Sequence, residues 1–285
     1  MLPNFIVIGA PKCGTTTLCH LLAQHPDVFM CTPKEPAFFS REEIYQRGLA
    51  WYESLFEPGR DKKLRGEGTT GYTGSLSDVV ASSRIAQHLP DARLIYCVRH
   101  PIRRIESIWM DYASYGAFGS RQGGKVRIFR DFCRSVRANP AFVDTSCYWA
   151  RLSVYREKFP DRQIHVVFLE DLEAQPQIIL SGCFRFLGGD PGIEIPDAEK
   201  RLNVSSRKSV PTPLGVLLRC LPNSNPARAV RRFLTSVVPA AVEKPLSRPS
   251  WEADLRDRVV DKLRDDTKAF LSYCGKPPDF WDLCQ

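Results

Sequence analysis

The chain opens on a continuous apolar run, Phe5-Ile6-Val7-Ile8, that stops at Gly9. So short a run without polar alternation predicts a strand buried on both faces. From Thr15 to His25 the pattern changes: Leu18, Leu21 and Leu22 stand on one face of a helix, and Pro26 closes it. The first unit is therefore strand, glycine loop, helix. Residues 31–60, broken by Pro33, Pro36 and Pro58, read as irregular. Leu64 to Glu67 predicts a short strand, and Ser77 to Leu89 a helix with Ser77 as its N-cap. Arg93 to Arg99 is a second clear buried strand, and Pro101 stands where proline favours the start of a helix. Cys147 to Phe159 predicts a helix and Ile164 to Phe168 a third clear strand. Pro176 to Leu187 predicts a helix with Ile179, Cys183, Phe186 and Leu187 on one face and Gly188 as its stop. Residues 190–250 are rich in Pro, Ser and Arg with weak periodicity, and Trp251 to Cys274 closes the chain as a helix carrying Leu255, Val259, Leu263 and Phe270 at helical spacing.

Strands alternating with helices predict a parallel sheet with helices on both faces. The length of 285 residues suits one such domain, with a core over 4–190, an irregular basic segment over 190–250 and the helix of 251–274. Hydrophobic residues make up 43% and charged residues 25%, the balance of a soluble globular chain. A net charge of +8 favours anionic partners. None of the ten cysteines forms a C-x-x-C pair, so zinc-site spacings are absent and the thiols read as reduced core residues. No stretch approaches the length of a membrane span. Met1-Leu2-Pro3-Asn4 lacks the basic start of a signal peptide, and the expectation is a cytoplasmic protein.

The strongest chemical signal is Gly9-Ala10-Pro11-Lys12-Cys13-Gly14-Thr15-Thr16-Thr17. Gly9 and Gly14 have P-loop spacing, although the Lys lies inside the loop at 12 and Thr15 stands where a Walker A lysine would be. A glycine turn between a strand and a helix is the plainer reading of the glycines alone. Lys12 and the three threonines add donors to a helix N-terminus, and together they predict an anion site. The expected fold class is accordingly α/β, a single P-loop-like domain.

The second signal is Arg99-His100-Pro101-Ile102-Arg103-Arg104-Ile105-Glu106-Ser107. Arg99 ends a strand at the carboxyl edge of the sheet, where open α/β folds bind ligands. Arg99 and Ser107 suit a second phosphate. An Arg103–Glu106 ion pair at the helix start is the competing reading.

Together these segments resemble the sulfotransferases that use 3′-phosphoadenosine 5′-phosphosulfate (PAPS). Pro11 to Thr16 resembles that family's 5′-phosphosulfate loop, and Arg99 to Ser107 its 3′-phosphate segment. Lys34-Glu35-Pro36-Ala37-Phe38-Phe39 and Tyr45 to Tyr52 are similar to the corresponding region of heparan sulfate sulfotransferases, both N-sulfo and 3-O-sulfo types. The resemblance implies transfer of a sulfuryl group from PAPS to a hydroxyl or amine, on an acceptor expected to be a glycan or glycoconjugate. It implies Pro11, Lys12, Cys13, Gly14, Thr15, Thr16, Thr17, Arg99 and Ser107 as donor-binding residues, Lys12 as the cation near the leaving oxygen, and Glu35 as catalytic base. It implies no metal and no nucleic-acid partner. Ser205-Ser206-Arg207-Lys208 stands where relatives place a cofactor-binding loop, which adds Arg207 and Lys208. Glu67-Gly68-Thr69-Thr70-Gly71-Tyr72 departs from the family's Glu-Lys-Thr/Ser pattern, so one active-site cation is missing or supplied elsewhere.

His20, His25, His88, His100 and His165 are rival bases. Trp51, Tyr52 and Trp149 are candidates for stacking on a sugar or an adenine, with core packing the plainer reading. Arg219, Arg228, Arg231 and Arg232 suit an acidic acceptor or a solvated helix face. Two other functions remain. A P-loop kinase or NTPase calls for a Lys after Gly14 and an Asp ending a strand. A non-catalytic glycan-binding module on the same fold calls for lost catalytic residues, and Gly68 is the feature in its favour.

Overall fold

In the computed structural model the described residues are 1–114, 121–122, 126–199, 209–212, 214, 218, 232–233 and 243–283. Their contacts gather into two units, Met1–Arg104 with Val143–Leu202 and Val259–Gln285, and Ile105–Phe142 with Asn203–Arg258.

The first unit is built on a parallel sheet. The strands are β1 (Phe5–Gly9), β2 (Val28–Met30), β3 (Leu64–Glu67), β4 (Arg93–Val98) and β5 (Ile164–Phe168), in the order β2-β3-β1-β4-β5. Every residue of β1 is buried, as its unbroken apolar run requires of a central strand. The longer helices are α1 (Thr15–Leu22), α2 (Asp78–His88), α3 (Pro101–Ser114), α4 (Tyr148–Arg156), α5 (Pro176–Leu187) and α6 (Ala253–Tyr273), of which α3 and α6 are divided between the two units. From β1 the chain crosses through α1 toward β2 and β3. It then returns through α2 to β4 on the other side of β1. Right-handed crossovers in opposite directions put α1 and α2 on opposite faces. The packing agrees: α1 meets α5, and α2 meets α4. The strand order reverses between β1 and β4, and the crevice at their carboxyl ends is the switch point where open α/β sheets bind ligands. There β1 slips against β4, with Val7 opposite Ile95 but Gly9 opposite Tyr96, so Ile8 is the extra residue as the chain leaves the sheet.

Several elements differ from expectation. The first helix ends at Leu22, before His25. The buried His25 ring instead pins a turn: Nδ1 accepts the Asp27 N–H at 3.1 Å, which leaves Nε2–H to donate to the Asp190 carbonyl at 3.1 Å. Ser77 does not cap α2 with its side chain, because its hydroxyl donates backward to the Gly71 carbonyl at 2.6 Å. The irregular stretch after residue 30 contains two short helices, Glu42–Tyr45 and Leu49–Ser54. Single turns are too short to hold themselves. Here Tyr45, Trp51 and Tyr52 gather around the Phe38 ring, with Tyr52 stacked on it at 4.6 Å. Tyr52 is thus core. Trp51 carries the Arg47 guanidinium over its ring, and Trp149 packs on Tyr273.

In the second unit, Asp131 caps the helix Phe132–Ala138 by accepting the Arg134 N–H at 2.6 Å. Glu106 is buried and accepts from Arg248 Nε at 2.7 Å and Trp251 Nε1 at 3.0 Å. Asp131, Cys133 and Glu252 converge there, yet Glu252 is held by Arg137 and burial pushes the Cys133 thiol up, so the trio is already engaged.

Candidate active site

The loop between β1 and α1 takes an unusual backbone path. Gly9 has φ 142° and Gly14 φ 79°, and a β-carbon on Gly9 would lie 2.1 Å from Thr73 Oγ1. Both conformations favour glycine, and at Gly9 the neighbouring Thr73 side chain and Thr70 carbonyl leave no space for a side chain. Lys12 holds φ 70°, a left-handed conformation that costs a side-chain-bearing residue about 1 kcal/mol or more. Gly14 caps α1 without any side-chain hydrogen bond, and the first helical bond runs from Leu18 N–H to the Gly14 carbonyl at 2.9 Å. The helix opens at Thr15, so its N-terminus stands at the end of the glycine loop, the arrangement that receives an anion. Thr15 and Thr17 are buried and Thr16 is half-buried. Burial pushes the Cys13 thiol up, so it stays neutral and is no nucleophile.

Arg99 follows β4, half-buried at the carboxyl edge of the sheet. Ser107 is buried on the part of α3 that belongs to the second unit. Arg207 and Lys208 lie outside the described residues, as do Arg219, Arg228 and Arg231, while Arg232 is exposed.

Glu35 sits on the strap after β2 and is 43% exposed. Lys34 Nζ lies 2.8 Å from one of its oxygens, and Thr70 Oγ1 donates to the other at 3.1 Å. The carbonyl of the same Thr70 would lie 3.1 Å from a β-carbon on Gly9. One residue thus joins Glu35 to the first glycine of the anion loop. The strap is fixed from below by Glu67, whose side chain is completely buried. Glu67 Oε1 accepts from Tyr52 at 2.8 Å and Tyr72 at 2.7 Å, and Oε2 accepts from the Thr69 N–H at 3.2 Å and from the Thr69 hydroxyl. Tyr72 and Thr69 in turn accept the Phe39 N–H at 3.3 Å and the Ala37 N–H at 3.1 Å. Glu67 is the anchor of the strap, sealed from any substrate.

Burial pushes the Glu67 carboxyl up from 4.5 to about 7, against the pull of its Thr69, Tyr72 and Tyr52 donors. A carboxyl that binds its proton more tightly when folded contributes stability that is complete below its unfolded value and lost as pH rises through its folded one. The expected result is a fall of roughly 3 kcal/mol in unfolding free energy between about pH 4 and pH 8. Urea titrations across that range check it, with Glu67→Gln lacking this component; equal slopes in the two proteins overturn it.

The histidines are engaged elsewhere. His88 Nε2 is 2.7 Å from the Tyr45 hydroxyl, and His20 lies 3.5 Å from Asp197. His100 Nε2 meets the Asp282 carbonyl at 2.9 Å, and burial holds its ring below the usual value. His165 stacks on Phe186, and burial lowers it too. Gly68 is packed against Cys19 and Lys34: a β-carbon there would lie 2.6 Å from Cys19 Sγ and 3.6 Å from Lys34 Cγ. The stem of Lys34 therefore occupies the space beside Gly68.

A parallel sheet with a glycine loop at its switch point and an arginine just after the next strand defines an open α/β protein of the kind that binds ligands at that crevice. The sulfotransferase domain model matches residues 2–212, and the chain belongs to that family. It is 31% identical over 194 residues to the human heparan sulfate glucosamine 3-O-sulfotransferase 3B1, covering 66% of this chain and 46% of the relative. It is 40% identical over 111 residues to the human 3-O-sulfotransferase 6, covering 39% and 30%. The chain thus spans less than half the length of these relatives. The fold is shared with a sulfotransferase from Alicyclobacillus acidocaldarius at a TM-score of 0.69 and 20% identity, over 99% of both chains.

Proposed function

We propose that this protein transfers a sulfuryl group from PAPS to a hydroxyl or amine of a carbohydrate. The observation that carries the reading is the bridge through Thr70, which puts a solvent-accessible carboxylate beside a glycine-built anion loop. The donor's chemistry fits these residues. The loop N–H groups, Lys12 and the threonines suit the 5′-phosphosulfate, and Arg99 suits the 3′-phosphate, to which the sequence pattern adds Ser107. The donor supplies an electrophilic sulfur whose S–O bond to the nucleotide breaks as the acceptor oxygen or nitrogen attacks, releasing adenosine 3′,5′-bisphosphate. Glu35 takes the acceptor's proton. Lys12 and the loop N–H groups hold the negative charge that collects on the bridging oxygen. Lys34, ion-paired to Glu35 and lying over Gly68, is our assignment for the cation that the 67–72 segment does not carry.

A glycan acceptor is favoured by the heparan sulfate relatives and by the +8 charge, which suits an acidic chain. Incubation with PAPS and an acceptor panel, read by mass spectrometry, tests it. Sulfated glucosamine-containing oligosaccharides are expected; transfer confined to phenols or lipids would replace the acceptor class, and no transfer to any acceptor would overturn the reading. Arg99 has its own test. The protein is expected to bind adenosine 3′,5′-bisphosphate about ten- to a hundredfold tighter than AMP, the scale of a charged hydrogen bond, and Arg99→Ala is expected to erase the difference. Calorimetry with both nucleotides measures it, and equal affinities in the wild-type protein remove the basis for a bisphosphate donor.

A further inference from the structure

Beneath the anion loop lies a buried polar assembly that the mechanism above does not use. Arg104 is completely buried at the first turns of α3. Its Nε donates to the Pro11 carbonyl at 3.0 Å, and one terminal nitrogen donates to Ser146 Oγ at 2.8 Å. Two residues on from Ser146, the buried Tyr148 begins α4. Its hydroxyl donates to the Arg99 carbonyl at 2.7 Å and lies 3.5 Å from Cys13 Sγ. The Ala10 N–H is tied to the Cys97 carbonyl at 2.7 Å. Three segments distant in sequence, the loop at 10–13, the strand end at 97–99 and the start of α4, are thus clamped from below.

The atoms that are gripped matter. A peptide whose carbonyl is drawn inward is fixed in orientation, so the Lys12 N–H, which shares its peptide with the Pro11 carbonyl, faces the opposite way. Pro11 has no N–H of its own, and Lys12 beside it is held at φ 70°. A loop in so costly a conformation persists when its surroundings over-determine it. Holding the Arg99 carbonyl likewise fixes the backbone from which the Arg99 side chain departs. The guanidinium of Arg104 is also a fixed positive charge in a poorly polarisable interior, and its influence reaches the loop, since it pulls on the Cys13 thiol even though burial prevails there.

We infer that Arg104 and Tyr148 are positioning residues of the donor site, with separate duties: Arg104 with Ser146 sets the 5′-phosphate loop, and Tyr148 sets the Arg99 end that receives the 3′-phosphate. The inference rests on the nucleotide reading given above and deepens it.

Separate duties give separate signatures. AMP engages the 5′ site alone, whereas adenosine 3′,5′-bisphosphate engages both. Tyr148→Phe removes one hydroxyl and keeps the ring in its place between Tyr96, Phe270 and Trp281. It is expected to weaken bisphosphate binding about three- to tenfold and leave AMP binding unchanged, so that the preference between the two nucleotides shrinks. Arg104→Met is expected to weaken both nucleotides about tenfold or more with the preference preserved. Arg104→Lys keeps the charge and is expected to recover part of that loss. Ser146→Ala, which removes one of the guanidinium's acceptors, is expected to follow the Arg104 pattern more weakly. Calorimetry with both nucleotides, beside thermal melting, reads these outcomes. Should Arg104→Met fail to fold, the Lys, Phe and Ala variants still decide the matter. Variants that fold and bind both nucleotides as the wild type does overturn the inference, and so does a Tyr148→Phe that weakens AMP and bisphosphate alike. A wild-type protein that binds neither nucleotide overturns the donor reading and this inference with it.

Discussion

Glu35→Gln is expected to lower kcat by about 10²–10⁴ on a confirmed acceptor while changing bisphosphate affinity little. Glutamine keeps the shape of the side chain, and its amide oxygen still accepts from Thr70, so the strap and the loop stay joined. What is lost is the capacity to take a proton. Bisphosphate affinity is expected to be spared because an ionised carboxylate has no proton to donate to phosphate. Glu67 supplies the contrast within the same segment. Its carboxyl has a proton affinity near neutrality, which would suit a base, but a completely buried group with four donors on its two oxygens has no route to a substrate. Steady-state kinetics with calorimetry separates the roles. Near-normal turnover by Glu35→Gln would remove it from the mechanism.

Lys12→Ala is expected to reduce kcat by about 10²-fold or more, the scale of losing a charge that stabilises the transition state. Backbone strain does not confound this substitution, since alanine has the same β-carbon in the same left-handed conformation. Lys12→Arg is the companion variant: it keeps the charge but spreads it over a planar group, and intermediate activity is expected. Because charge on the bridging oxygen grows during bond breaking, the deficit should fall on kcat more than on bisphosphate affinity. Wild-type turnover by purified Lys12→Ala would sink the assignment.

Much of the sheet was legible from local pattern. β1 is buried throughout and β4 after Arg93, both as apolar runs, while the edge strand β5 is half-buried at His165 and Val166. α5 has the expected bounds and its stop at Gly188, but it buries Leu180 and Phe184 with Cys183 and Leu187, and leaves Ile179 and Phe186 half-buried. Elements stabilised from elsewhere were not legible. β2 spans Val28–Met30 and draws its pairing from β3, and the helices at 42–45 and 49–54 exist because aromatic residues close over Phe38. The end of α1 was misplaced because His25 bonds to Asp190, a partner far along the chain that no local window contains. In the site, Lys12 and the glycines were readable because a phosphate loop is contiguous in sequence. Thr70 was not singled out, since its task is to reach a residue 35 positions earlier. Arg104 stood inside a segment already noticed for its neighbours, and burial of its guanidinium has no signature in sequence.

The packing around Gly68 constrains how this site can change over evolutionary time. A β-carbon at 68 would lie 2.6 Å from Cys19 Sγ, whereas the Lys34 stem at 3.6 Å is in ordinary contact. A side chain at 68 therefore requires Cys19 to give way, and not Lys34. A lineage that gains one while Cys19 stays must cross an overcrowded form. Such a step is closed to gradual drift and open to coordinated exchange at 19 and 68, so these two positions are expected to change together or not at all.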